Sequence, residues 1–163
     1  GTIQDKGTTI IGNENLFMAY AHVAHDCIVG DGNVFANNAG IAGHVTVGSH
    51  TTIGALTTIH QFCQMGDYSF AGMNSSINMD VPAFIKVASN PARVVGLNSV
   101  GMERGGIDQE IISILKKAYK IVYRQELNLK EAIKKIEALN SEEIKEVQNF
   151  VSSLKSSERG ILR

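Results

Sequence analysis

All five histidines in this chain lie within its first sixty residues, and of His22, His25, His44 and His60 three have a neighbour that could assist them. Asp26 follows His25, Gly43 precedes His44, and Gln61 follows His60. An imidazole with an ordinary pKa of ~6.5 can accept a proton at neutral pH, so His25 is a candidate general base. The Asp26 carboxylate is placed to orient or polarise it. Gly43, with no side chain, lets a carbonyl approach a backbone N–H, which is the geometry of an oxyanion site.

These residues sit in a repeat. From Ile11 to Pro82 the chain runs as six-residue blocks whose first residues are Ile11, Phe17, Val23, Val29, Phe35, Ile41, Val47, Ile53, Ile59, Met65, Ala71 and Ile77, all apolar. The second position is mostly Gly or Ala and the fifth is mostly small. A six-residue period fits neither one helix nor one strand; it suits short strands joined by tight bends, three to a coil of 18 residues, with successive coils paired in parallel. First positions point inward and small residues fill the corners. Residues 18 apart then stack, so His25, Gly43 and Gln61 occupy successive layers, with His22, His44 and His60 on the same side and His50 on another. One flat face cannot exclude water, so the site is expected between subunits. Ile3 to Thr8 reads as an earlier block, with Thr9 and Ile10 inserted before the regular run.

With 163 residues the chain supports one domain and an appendage. Its net charge is −1, with 15 basic and 16 acidic residues, and no nucleic-acid footprint is visible. No apolar run approaches the roughly 20 residues of a membrane span, and there is no signal-peptide pattern. Cys27 and Cys63 both take the fifth position, where a thiol packs as a small apolar group. They lie two coils apart, roughly 9–10 Å, beyond the reach of about 7 Å for a disulfide. Reduced thiols point to the cytoplasm.

After Pro82 the repeat is expected to stop, with Asn90-Pro91-Ala92-Arg93 as a loop leaving the coil. The remainder reads as helical. Asp108 can cap a helix burying Ile111, Ile112, Leu115, Ala118, Tyr119 and Val122; Asn128 can cap one with Leu129, Ala132, Ile133, Ile136 and Leu139; Ser141 can cap one with Ile144, Val147, Val151 and Leu154. The expected division is a β-helix with its exit loop over 1–96 and a helical domain over 97–163.

The strings Ala21-His22-Val23-Ala24-His25-Asp26-Cys27, Ala42-Gly43-His44-Val45 and Ile59-His60-Gln61-Phe62-Cys63 closely resemble the UDP-N-acetylglucosamine O-acyltransferases. So do Asp80-Val81-Pro82, Gly96-Leu97-Asn98, Ala118-Tyr119-Lys120 and the Arg159–Arg163 terminus. The resemblance implies a left-handed parallel β-helix of hexapeptide repeats followed by a C-terminal α-helical domain. It also implies a cytoplasmic homotrimer that transfers a 3-hydroxyacyl chain from acyl carrier protein to the sugar 3-position in lipid A biosynthesis. The acyl-phosphopantetheine arm of the carrier is the donor, with no other cofactor and no metal. In these terms His25 is the base, Asp26 supports it and the Gly43 amide steadies the oxyanion. His22, His44, His60 and Gln61 line the cleft, and Asn98 and Arg104 contact nucleotide or donor from a neighbouring subunit. Met73 matches a hydrocarbon ruler, where Met in place of Gly shortens the acyl donor. Lys116, Lys117, Lys120 and Arg124 form a basic stripe on the first C-terminal helix, suited to acidic acyl carrier protein. Two departures stand out: Val100 replaces a Glu, and Arg104-Gly105 replaces a basic pair. The family's earlier coils would lie before Gly1.

Three other functions fit parts of the pattern: a sister N-acyltransferase of the same pathway, a zinc β-helix enzyme of carbonic-anhydrase type using His22, His25, His44 and His60, and a catalytically silent scaffold.

Overall fold

The computed structural model describes residues 7–139 and 143–163; the expected block Ile3–Thr8 falls mostly outside them. Twelve two-residue strands make four coils. They are β1 (Ile10–Ile11), β2 (Leu16–Phe17) and β3 (His22–Val23); β4 (Ile28–Val29), β5 (Val34–Phe35) and β6 (Gly40–Ile41); β7 (Thr46–Val47), β8 (Thr52–Ile53) and β9 (Thr58–Ile59); and β10 (Gln64–Met65), β11 (Phe70–Ala71) and β12 (Ser76–Ile77). Each strand from β1 to β9 pairs in parallel with the one three places on, at the 18-residue step the sequence predicts: Ile10 with Ile28, Val29 with Val47, Ile41 with Ile59. Three sheets result, and the chain is a parallel β-solenoid. First-position side chains from Val29 to Ile77 are buried on its axis. In the first coil Ile11 and Phe17 are 46% and 39% exposed, because no described coil covers that end.

The bends share one conformation. The fourth residue of every block from Glu14 to Asn74 has φ between 55° and 67°. The left-handed turn lets its N–H reach the carbonyl of the coil before, as from His44 to His25 and Phe62 to Gly43. Fifth positions are inward as well, and several of their polar side chains are hydrogen-bonded. Asn15, Cys27, Asn33 and Thr57 each donate to the carbonyl fifteen residues on, of Gly30, Ala42, Gly48 and Gly72 respectively. Asn33 Oδ1 also accepts from the N–H and the hydroxyl of Thr51, both at 2.7 Å. Burial costs a polar group little once it is satisfied in this way.

The register slips before Pro82, not after it. Met65 bridges Val81 and Phe70 pairs with Lys86, a step of sixteen residues. Buried Asp80 makes this possible, since its Oδ1 accepts the Gln64 N–H at 2.8 Å in place of a backbone carbonyl. The coil continues through β13 (Ile85–Ala88), which pairs in parallel with β11 and antiparallel with β14 (Arg93–Leu97). Residues 90–92 are therefore the turn of a hairpin rather than an exit loop, and Arg93 opens β14.

A short helix absent from the sequence reading, α1 (Ser99–Arg104), follows, and Asn98 Oδ1 caps it by accepting from Gly101 N at 3.1 Å. In α2 (Gln109–Arg124) Asp108 holds the cap position, but its side chain accepts no hydrogen bond there. The buried face is Ile112, Leu115, Ala118, Ile121 and Val122; Ile111 and Tyr119 are only half-buried. Before α3 (Leu129–Leu139), Asn128 and Glu131 cap one another reciprocally, as a capping box. The Ser141 cap lies outside the described residues, and α4 (Lys145–Lys155) starts after Ile144, so Ile144 is not on its face. The solenoid meets α4 through Asp67 Oδ2 and Asn149 Nδ2 at 2.8 Å, and through the Ser153 hydroxyl and Ala83 N at 3.0 Å.

Candidate functional site

The bends after β3, β6 and β9 stack into one corner column, and this column carries the candidate chemistry. His25 and Asp26 occupy its first layer, Gly43 and His44 the second, Gln61 and Phe62 the third. His25 Nδ1 lies 2.8 Å from Asp26 Oδ2. An ionised carboxylate only accepts, which puts the proton on Nδ1 and leaves Nε2 with its lone pair. The Asp26 side chain is 3% exposed and that of His25 44%, so a buried anchor holds a reachable base. Adjacent side chains on a straight strand would diverge; the left-handed bend at Asp26 brings these two together.

Gly43 is buried beneath the His25 ring. A methyl group at Gly43 would lie 2.5 Å from His25 Cε1 and 2.8 Å from Nε2. Its carbonyl accepts from Phe62 N, but no acceptor among the described residues takes its N–H. A different corner shows the contrast: there the equivalent amides of Asn13, Asp31 and Ser49 each donate to a side-chain oxygen one coil on, at 2.6, 3.0 and 2.7 Å. The third layer supplies no such oxygen to Gly43, and its donor is left beside the free nitrogen of His25.

His44 completes the cluster. Its Nε2 is 3.9 Å from Asp26 Oδ2, and its ring meets that of His25 edge-on at 5.3 Å between centroids. The Phe62 ring stacks on the other side of His44 at 4.6 Å. His22 shares with His25, Asp26 and Thr9 an open cleft of about 430 Å³. His60, whose Nδ1 lies 3.1 Å from the Gln61 carbonyl, and Gln61 are exposed one layer beyond Gly43. Among the described residues, metal-ligating atoms converge only at His25, Asp26 and His44. His22 and His60 stand apart from that group, so the four-imidazole zinc reading is not favoured.

Met73 lies at another corner, between β11 and β12, and is 70% exposed. It fills no packing gap within this chain. Asn98 and Arg104 line a separate cleft of about 430 Å³ with His50, Thr52, Phe70 and Lys86. Asn98 is buried, and its Nδ2 donates to the Tyr68 carbonyl at 2.8 Å while its Oδ1 caps α1. Its side chain therefore shapes the cleft wall. His50, which the sequence sets aside, lies in this cleft, its ring tilted on Tyr68 at 4.8 Å. His50 and Tyr68 hold the same position in blocks 18 residues apart, and that spacing is the signal that could have found the stack. The Gly105 departure has a local cause: a Cβ there would lie 2.5 Å from Tyr68 Cε1. Val100 turns an exposed apolar surface into the same cleft. The Lys116, Lys117, Lys120 and Arg124 side chains are all exposed on α2.

Comparison with known proteins agrees with this layout. The family model described as Udp N-acetylglucosamine O-acyltransferase, Domain 2, matches residues 80–162, and that of the bacterial transferase hexapeptide (six repeats) matches residues 8–43. The chain is 44% identical over 163 residues to the acyl-[acyl-carrier-protein]–UDP-N-acetylglucosamine O-acyltransferase of Ectopseudomonas mendocina, covering 100% of this chain and 63% of that protein. The Thiobacillus denitrificans protein of the same name is 45% identical with the same coverage. A crystal structure of UDP-N-acetylglucosamine O-acyltransferase from Moraxella catarrhalis gives a TM-score of 0.96 at 45% identity, covering 100% of this chain and 63% of that one. The chain thus spans less than two thirds of the length of these relatives.

Proposed function

We propose that this chain, which belongs to the UDP N-acetylglucosamine O-acyltransferase family, carries the catalytic column of an enzyme that moves a 3-hydroxyacyl group from acyl carrier protein to the 3-hydroxyl of UDP-N-acetylglucosamine, in lipid A biosynthesis. One observation carries the reading: the lone pair of His25 Nε2 and the unpaired Gly43 N–H sit side by side, with Asp26 fixing the imidazole from behind.

The step follows from that pairing. The sugar hydroxyl gives its proton to His25 Nε2 as its oxygen bonds to the thioester carbonyl carbon. The carbonyl oxygen takes the charge and accepts the Gly43 N–H. When the tetrahedral centre collapses, the carbon–sulfur bond breaks and the His25 proton passes to the departing thiolate of the carrier's pantetheine arm. A positioned base contributes typically about 10²–10⁴-fold, and one oxyanion donor about 10²–10³-fold.

The cleft of His50, Lys86, Asn98 and Arg104 has cationic groups and no carboxylate in its lining, which suits the phosphates of a sugar nucleotide. In a homotrimer this cleft of one subunit would face the His25 column of the next, and His22, His44, His60 and Gln61 would contact the substrates. The α2 stripe would receive acidic acyl carrier protein. Among the described residues no helix is long and apolar enough to cross a membrane, in keeping with a cytoplasmic enzyme.

The test is transfer from 3-hydroxyacyl carrier protein to UDP-N-acetylglucosamine and, separately, to its 3-amino analogue. Transfer to the hydroxyl that falls at least about 10³-fold in His25→Ala is expected. Activity retained in that variant removes His25 as the base, and transfer to the amine alone assigns the sister N-acyltransferase reaction.

A further inference from the structure

We propose that Phe62 is a positioning residue for this reaction, acting through His44 on the His25–Asp26 pair; the proposal rests on the reading of His25 as base. Asp26, His44 and Phe62 share the left-handed bend position in three consecutive coils, with φ of 58°, 61° and 64°. Their side chains therefore project in register along the corner. The Phe62 ring lies nearly parallel to that of His44, 20° between planes and 4.6 Å between centroids. His44 in turn stands at 87° to His25, with Nε2 3.9 Å from Asp26 Oδ2.

Burial does not explain an aromatic residue at this position, since Phe62 is 51% exposed. The parallel column of His50, Tyr68 and Phe84 has the same kind of stack, but it ends on fully buried Phe84, which belongs to the core. At Phe62 the ring has His44 on one face and solvent at its outer edge. Its consistent role is to stop His44 from turning outward. With His44 held, an imidazole stays 3.9 Å from Asp26 Oδ2 and the carboxylate keeps its short bond to His25 Nδ1. Without the Phe62 ring, His44 loses the aromatic face stacked on it, its ring shifts against Asp26, and the bond that fixes the His25 tautomer loosens. Misplacing a reacting group by an ångström or less costs turnover, not ground-state binding.

Phe62→Leu, Phe62→Ala and Phe62→Tyr test this in the full chain by two readouts. In steady-state transfer, Leu and Ala are expected to lower kcat about tenfold, with KM for donor and acceptor unchanged, and Tyr to restore kcat. In imidazole ¹H–¹⁵N correlation spectra without substrate, the Nδ1–H signal of His25 is expected to persist in wild type and Tyr and to exchange-broaden in Leu and Ala. Thermal unfolding of each variant separates these effects from loss of fold. A raised KM at unchanged kcat overturns the proposal and makes Phe62 a substrate contact. Unaltered His25 signals in Leu and Ala also overturn it. The spectra need no turnover, so they decide the placement of His25 even where the transfer reaction itself is not observed.

Discussion

Gly43→Ala separates the two functions crowded at the corner, because it keeps the backbone N–H while displacing the base. The new methyl would meet His25 Cε1 at 2.5 Å, Nε2 at 2.8 Å and Nδ1 at 3.1 Å. Carbon atoms in favourable contact sit about 3.5–4.0 Å apart, so the imidazole must retreat by roughly 1 Å. The bond from Nδ1 to Asp26 Oδ2, 2.8 Å long, cannot survive that shift without Asp26 following, and Asp26 is held with its side chain 3% exposed. A 1 Å misplacement costs on the order of 10²-fold in rate. His25 can swing toward solvent, but a buried carboxylate then loses a partner, so the free energy of unfolding should fall by about 1–3 kcal/mol. The assay is kcat and KM for acyl transfer in Gly43→Ala, His25→Ala and the double variant, with thermal unfolding of each. If Gly43 acts by making room for His25, the glycine substitution adds little once His25 is gone. Full multiplicative losses in the double variant would refute this, as would Gly43→Ala within threefold of wild type.

Met73→Gly should shift preference toward longer acyl donors with little effect on stability, because the side chain is exposed; donors of graded length measure it, and an unchanged profile removes the ruler. Lys116→Glu with Lys120→Glu should raise KM for the carrier-bound donor at low salt and lose that effect at high salt; equal KM values reject docking on α2. Asn33→Ala strands the Gly48 carbonyl and the Thr51 N–H in the core and should cost about 3 kcal/mol in urea unfolding; a loss under 1 kcal/mol would mean water replaces the amide. Burial pushes the Cys63 thiol up to about 11, with Arg159 opposing in part. An unfolded thiol ionises near its ordinary ~8.5, so this stability is complete below that pH and is lost as pH rises toward 11. Native protein should resist thiol alkylation at pH 8, and stability that rises between pH 9 and 11 would contradict the assignment.

The six-residue register was legible because twelve apolar first positions set both the strand pairing and the 18-residue stack that gathers His25, Gly43 and His44. The left-handed bends were not, since Tyr20, Leu56 and Phe62 occupy them and none signals positive φ as Gly or Asn would. The slip at Asp80 was hidden because Val81 and Ala83 are both apolar and both buried, so either register satisfies the pattern. Fifth positions read as merely small; that Asn33, Thr57 and Cys27 are also donors emerges only once a carbonyl is placed fifteen residues on. The helix α1 was masked by Gly101, and its cap Asn98 resembled a ligand contact while its amide holds Tyr68. The role of His50 depended on the hairpin folding the chain back beside it.

The step of 18 residues also makes the solenoid a ruler with discrete divisions. An insertion of one or two residues would rotate every later side chain off its column, and the slip at Asp80 needed a carboxylate to replace a lost carbonyl. Insertion or removal of a whole coil leaves every column in register. It changes only the axial distance between the His25 corner and the helices, in increments of one strand spacing, roughly 4.8 Å. Reach along this molecule is therefore quantised, and a chain of this kind can lengthen its working groove by duplication without redesigning a single contact.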